Sequence, residues 1–271
     1  MRVLCCFLLL ILIQVHIESK NVIYVMVEGM SRHTFYPMLE SKKLPHYQQI
    51  IQRGNFRNLG MQPAQLTDEV STKLLYSGFE SNRVEHSSFL QFVKQQRPQL
   101  AIKCFFSAPI DKPYMADTHY MVQSLLDFTQ GQDLEYQASK QLALDVAQYI
   151  KNSQSDFFIM LNFTNVDYFG YRYREGADIY SKAVKNTDKA LGIIIDALIQ
   201  TNQFEQTEFL LTTNYGYRKK TPFKVAESWI AGTQKALRKG QLTDVFPSLL
   251  DLLDIEDQDY QFLLQGKTLF E

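Results

Sequence analysis

The stretch Asn21-Val-Ile-Tyr-Val-Met-Val27 carries no charged residue and ends in Glu28-Gly29. A strand with one wet face alternates apolar and polar side chains. This one does not alternate, so it predicts a strand buried on both faces, as in a parallel sheet covered by helices on each side. Three further apolar runs repeat the pattern, Gln99–Phe106, Phe157–Leu161 and Glu208–Thr212. Helical patterns lie between and after them. Pro45 to Arg53 opens on a proline and closes at Gly54, the asymmetry expected of a short helix. Leu90–Gln95 and Phe246–Leu253 read as two more short helices. Gln137–Ile150 places Ala138, Leu142, Val146 and Ile150 four residues apart. Tyr180–Ile199 places Ala183, Val184, Thr187, Leu191, Ile194, Ile195 and Leu198 on one face. Strands alternating with helices predict a three-layer α/β sandwich, with a mostly parallel central sheet and helices on both faces. Ala108–Leu134 is the least patterned stretch and reads as a surface insertion. No internal repeat, low-complexity tract or long linker interrupts the chain, so residues 20–271 read as a single domain.

Charge narrows the classes of partner. The 28 basic and 29 acidic residues nearly cancel, which leaves no general attraction to nucleic acid or an anionic membrane. A hydrophobic fraction of 45% with 21% charged residues excludes disordered, collagen-like and coiled-coil chains. The N-terminus, Met1-Arg2, precedes an apolar run from Val3 to Ile13 and a polar stretch from Gln14 to Lys20. That run is too short to span a bilayer and has the layout of a signal peptide over residues 1–19, with Ile17 and Ser19 at the −3 and −1 positions. The expected location is the secretory pathway, secreted or in an organelle lumen, with no transmembrane span in the mature chain. Cys104 is then the one cysteine of the mature chain. It sits in an apolar run, as a buried core thiol does. The sequon Asn162-Phe163-Thr164 follows a buried strand, so Asn162 is expected to carry no glycan.

In open parallel α/β sheets, functional groups gather beyond the carboxyl ends of the strands. After the first strand comes Glu28-Gly29, and after the helix at Pro45 come Thr67-Asp68-Glu69 and Ser77-Gly78. After the run at Phe157 comes Asn162-Phe-Thr-Asn165-Val-Asp167-Tyr-Phe-Gly170-Tyr171, and the following helix carries Asp188-Lys-Ala-Leu-Gly192. After the run at Glu208 come Asn214-Tyr215-Gly216, Lys220-Thr221 and Asp244 to Leu253. This order resembles the alkaline phosphatase superfamily, which includes type I phosphodiesterases/nucleotide pyrophosphatases, sulfatases and cofactor-independent phosphoglycerate mutases. The family pattern is Asp-Gly, a Pro-led helix, a Thr, Ser or Cys nucleophile before Thr-Gly, Asp-x-x-Gly-His, Asp-His-Gly, His-Thr and a terminal Asp-x-x-Pro helix. The resemblance covers nearly all of the mature chain and implies an alkaline phosphatase-like fold.

It also implies two metal ions, which bind the ester oxygens and activate the nucleophile. Here the chain departs from the pattern. Asp167 is the one matching ligand kept, and Glu28 replaces a family Asp. Tyr171, Asn214, Tyr215 and Lys220 stand at other ligand positions. A phenol with a pKa near ~10 is a poor ligand at neutral pH, an amide lacks charge, and an ammonium repels a cation. No histidine follows His119, although the family draws its histidine ligands from that half. The expectation is therefore no resident metal or other cofactor. The alternative is a single divalent cation held through oxygens by Glu28, Asp68, Glu69 and Asp167. Thr67 stands near the nucleophile position. The triplet Thr67-Asp68-Glu69 also reads as a helix N-terminus, a capping threonine with acids in the first turn. Glu28, Thr67 or Asp68, Asp167, Asn214 and Tyr215 are expected to converge, with Tyr168, Tyr171, Tyr173, Tyr215 and Tyr217 filling a vestigial pocket. Lys220 is either a charge partner of Asp167, with Tyr171 or Tyr215 donating to the same carboxylate, or a solvated lysine in Arg218-Lys219-Lys220. Two functions follow. One is a catalytically inactive phosphatase-like protein, a pseudoenzyme, that binds a protein or small-molecule ligand. The other is a metal-dependent phosphoric or sulfuric ester hydrolase with an altered site, with Thr67 as its catalytic residue.

Overall fold

In the computed structural model, β1 (Asn21–Val27) leads into α1 (Arg32–Glu40), α2 (Pro45–Arg53) and β2 (Asn55–Gly60). Then follow α3 (Phe89–Gln96), β3 (Ala101–Phe106), β4 (Asp127–Gln130), α4 (Ala138–Asn152) and β5 (Phe157–Phe163). The chain continues through α5 (Asn165–Tyr173), α6 (Asp178–Gln200), β6 (Thr207–Thr212), β7 (Gly216–Tyr217) and β8 (Lys224–Val225). It ends with β9 (Ser228–Gly232), β10 (Gly240–Gln241), a 3-10 turn (Leu242–Asp244) and α7 (Val245–Leu252). The structure describes residues 20–62, 74, 89–106, 127–130, 138–217, 224–256 and 266–270. The signal-peptide reading, Thr67, Asp68, Glu69 and Lys220 all fall outside them.

Among the described residues eight strands form one sheet in the order β10-β2-β9-β6-β1-β5-β3-β4, and β7 pairs with β8 in a separate ribbon. Neighbours in the large sheet are parallel, except that β9 runs antiparallel to both β2 and β6. The missing alternation in β1 has its cause in this arrangement. Ile23, Val25 and Val27 enter a core with Phe35 of α1, Ile50 of α2, Val146 of α4 and Ile194 of α6. Val22, Tyr24 and Met26 enter a second core with Phe89 and Val93 of α3 and Leu249 of α7. Both faces of β1 are dry, so both sets of side chains are apolar.

Several elements depart from the expectation. Part of the stretch read as a surface insertion is strand β4, which extends the sheet beyond β3. Helix α1 contains Pro37, which hides its helical pattern. Strands β2 and β9 are short and carry Asn, Ser or Gly, and they become strands by pairing with each other. Cys104 and Asn162 are fully buried, and burial pushes the Cys104 thiol upward in pKa. Among the described residues no helix is long and apolar enough to cross a membrane.

One tie between two helices of the same layer explains a residue of the sequence pattern. Helix α2 has no side-chain cap of its own. Asp188 of α6 supplies it, accepting from the amides of His46 at 2.9 Å and Tyr47 at 3.0 Å and from His46 Nδ1 at 2.9 Å. Gly192, one turn on, is where the His46 ring packs, since a Cβ there would meet it at 2.6 Å.

Candidate functional site

The carboxyl ends of β1, β5 and β6 lie side by side, because Val27 pairs with Phe163 and Met26 with Thr212. The loop after β1 is held amide by amide. Glu28 N donates to Phe163 O at 2.9 Å, and Gly29 N to Asn214 Oδ1 at 3.0 Å. Met30 N donates to Thr213 Oγ1 at 3.1 Å, and Ser31 N to the Tyr180 hydroxyl at 3.1 Å. Tyr180 in turn donates to Gly29 O at 2.9 Å, and Trp229 Nε1 to Met30 O at 2.8 Å. Four elements thus fix one turn, which leaves little freedom to the side chains mounted on it. Gly29 adopts φ +71, a conformation that favours glycine. A Cβ there would also stand 2.8 Å from Asp167 Cα.

The side chains of this edge form two linked clusters. Glu28, 3% exposed, accepts from Asn162 Nδ2 at 2.8 Å. Asp167, in the first turn of α5 and 8% exposed, accepts at Oδ1 from the Tyr215 hydroxyl at 2.5 Å. Tyr217 donates to the same Oδ1 and, at 3.4 Å, to the Asp167 carbonyl. The Tyr217 ring lies against Gly29 and Gly170, where a Cβ would meet it at 2.9 and 2.6 Å. The Tyr215 and Tyr217 rings meet edge to face at 5.8 Å. Burial first, and the Asp167 charge second, push both phenols upward in pKa. Glu28 adds to the effect on Tyr215, which places both carboxylates within its electrostatic reach. The two phenols are therefore protonated donors at neutral pH.

Of the residues singled out in the sequence, Glu28, Asp167, Asn214 and Tyr215 meet here. Asn214 accepts from both Gly29 N and Tyr215 N at 3.0 Å. Tyr171 corrects the expectation. It is 68% exposed and fills no pocket, and Tyr173, 49% exposed, fills none either. Tyr217, read only as filling, is instead a second donor to Asp167. Asn162, Tyr180 and Trp229 are further parts of the site, outside the family pattern. The sequence signal for Asn162 was its position at the end of a buried strand; Tyr180 and Trp229 are in place only through tertiary contact.

The described residues at these positions do not fit the two-cation centre that the resemblance implies. Asn214 and Tyr215 are an amide and a neutral phenol, Tyr171 faces solvent, and the two carboxylates are engaged by an amide and two hydroxyls. Among the described residues no group of three His, Cys, Asp or Glu gathers that could hold a metal ion.

A helix-flanked sheet of this order, with its polar groups at the ends of β1, β5 and β6, is an alkaline phosphatase-like fold. The chain belongs to the family of type I phosphodiesterase / nucleotide pyrophosphatase, whose pattern matches residues 68–248. A 2,3-bisphosphoglycerate-independent phosphoglycerate mutase of Gracilaria tenuistipitata var. liui is 25% identical over 161 residues. The match takes in 56% of this chain and 31% of that protein, so the chain spans about a third of that relative. The alkaline phosphatase of the Antarctic bacterium TAB5 superposes with a TM-score of 0.65 at 12% identity, over 88% of this chain and 99% of that one. A 2-O GAG sulfatase superposes with a TM-score of 0.68 at 11% identity, over 93% of this chain and 73% of that one. At such identities the likeness shows the fold.

Proposed function

We propose that the chain is a catalytically inactive member of its family, which acts by binding a protein or small-molecule ligand in the secretory pathway. The observation that supports this reading is the donor set. At positions that would hold cations stand an amide (Asn214), a phenol (Tyr215) and a solvent-facing tyrosine (Tyr171). Without dications, the charge that an ester-transfer transition state requires has no source at these positions. The leader read in residues 1–19 supports the location. A hydrolase with an altered site is the second reading. It is favoured by two buried carboxylates near the strand ends, Asp167, which matches a family ligand, and Glu28, which replaces one. The test is turnover of aryl phosphate, bis-aryl phosphodiester and aryl sulfate by the purified protein, with and without added Zn²⁺ or Mg²⁺. No turnover above that of the Thr67→Ala and Asp167→Asn variants is expected. Turnover that either substitution abolishes establishes the hydrolase instead.

A further inference from the structure

We infer that Tyr215 and Tyr217 together occupy, at Asp167, the charge-compensating place of a divalent cation, so that the site is closed by the chain's own side chains and is independent of metal. The inference concerns how the site is held together, and it stands apart from whether the protein turns over an ester. A carboxylate oxygen offers two lone-pair directions. On Asp167 Oδ1 both are met by phenolic hydrogens, one from each tyrosine. A hard cation bound to that oxygen needs one of those directions, at a ligand distance of roughly 2.0–2.6 Å. The two hydroxyls stand there already, with their positive ends toward the oxygen.

The tyrosines are built in rather than adventitious. Tyr215 is fully buried, and so is Tyr217. The Tyr217 ring needs the missing side chains of both Gly29 and Gly170. The two rings brace each other edge to face at 5.8 Å. Neither hydroxyl can swing away without the loop after β6 moving as a whole. Removing both hydroxyls while keeping the rings takes both phenolic donors away from Asp167 Oδ1. With those two donors gone, the Asp167 oxygen can be offered to a hard cation.

The test compares melting temperatures of the full chain, Tyr215→Phe, Tyr217→Phe and the double variant, each titrated with Mg²⁺, Ca²⁺ and Zn²⁺ and with EDTA. The wild-type chain is expected to melt at the same temperature in every condition. Each single variant should melt about 2–6 °C lower. The double variant should gain a concentration-dependent rise with at least one cation, reversed by EDTA, as binding to the folded state alone requires. A wild-type melting point that moves with cation or chelator overturns the inference. So does a double variant that stays blind to all three cations. Should the double variant not fold, Tyr217→Phe carries the same comparison, because its ring and its glycine cradle are unchanged. Hydrolysis plays no part in these readings, so their outcome is separate from that of the turnover assay.

Discussion

Asp188→Ala should unfasten helix α2 from α6. Asp188 lies 2% exposed in the middle of α6 and accepts the first amides of α2, His46 N and Tyr47 N, at 2.9 and 3.0 Å. The first amides of a helix have no partner within it, and here no side chain of the loop takes over. Each hydrogen bond to a charged acceptor contributes about 1.5 kcal/mol or more, so two of them set the loss near 3 kcal/mol. The third bond, to the half-exposed His46 ring, adds at most a few tenths of a kcal/mol once solvent screening is applied. In a chain of this size, a loss near 3 kcal/mol lowers Tm by about 6–12 °C. Asp188→Asn retains an oxygen for the amides and removes the charge, so its cost should be near 1 kcal/mol. Urea denaturation of the three proteins gives the comparison, and amide exchange at His46 and Tyr47 localises it. An Asp188→Ala variant within about 0.5 kcal/mol of wild type, the range of an ordinary surface substitution, would refute the capping argument.

Gly170→Ala places a methyl carbon 2.6 Å from the Tyr217 ring; the ring must shift off Asp167, with a destabilisation of about 1–3 kcal/mol and a changed near-ultraviolet tyrosine spectrum. Unchanged stability and spectrum would show that the ring is not held where the structure places it. Alkaline titration provides a second check. Burial pushes Tyr24, Tyr47, Tyr180, Tyr215 and Tyr217 upward and Tyr36 up to about 12. Above pH ~10 the unfolded state has lost phenolic protons that the folded state keeps, so stability is complete below pH ~10 and falls as pH rises. The phenolate absorbance of these buried tyrosines should therefore appear together with unfolding, and their gradual ionisation in the folded chain would contradict this.

The central strands were legible because burial on both faces leaves an unambiguous mark. Asn21–Val27 and Phe157–Phe163 are buried along their whole length and have no room for a polar face, and the sequence shows none. Helices α2, α4 and α6 were legible through their apolar stripes and the proline that opens α2. Strands β2 and β9 were not, because their strand character comes from pairing with each other and not from local preference. Helix α1 was obscured by Pro37, and β4 by the unpatterned stretch around it. At the site, the sequence by itself determined which chemical groups stand at the strand ends, and in particular that histidine is missing from the second half of the chain. Motif order rests on the sheet topology, so it survives while individual ligands change. The tertiary structure alone decided what those groups do to one another. Tyr171 and Tyr217 look alike in sequence as members of one tyrosine-rich set. One faces solvent, and the other lies on two glycines with its hydroxyl on Asp167. That difference depends on the side chains that Gly29 and Gly170 lack, residues far from Tyr217 along the chain, and distance along the chain conceals a contact made only when the sheet closes.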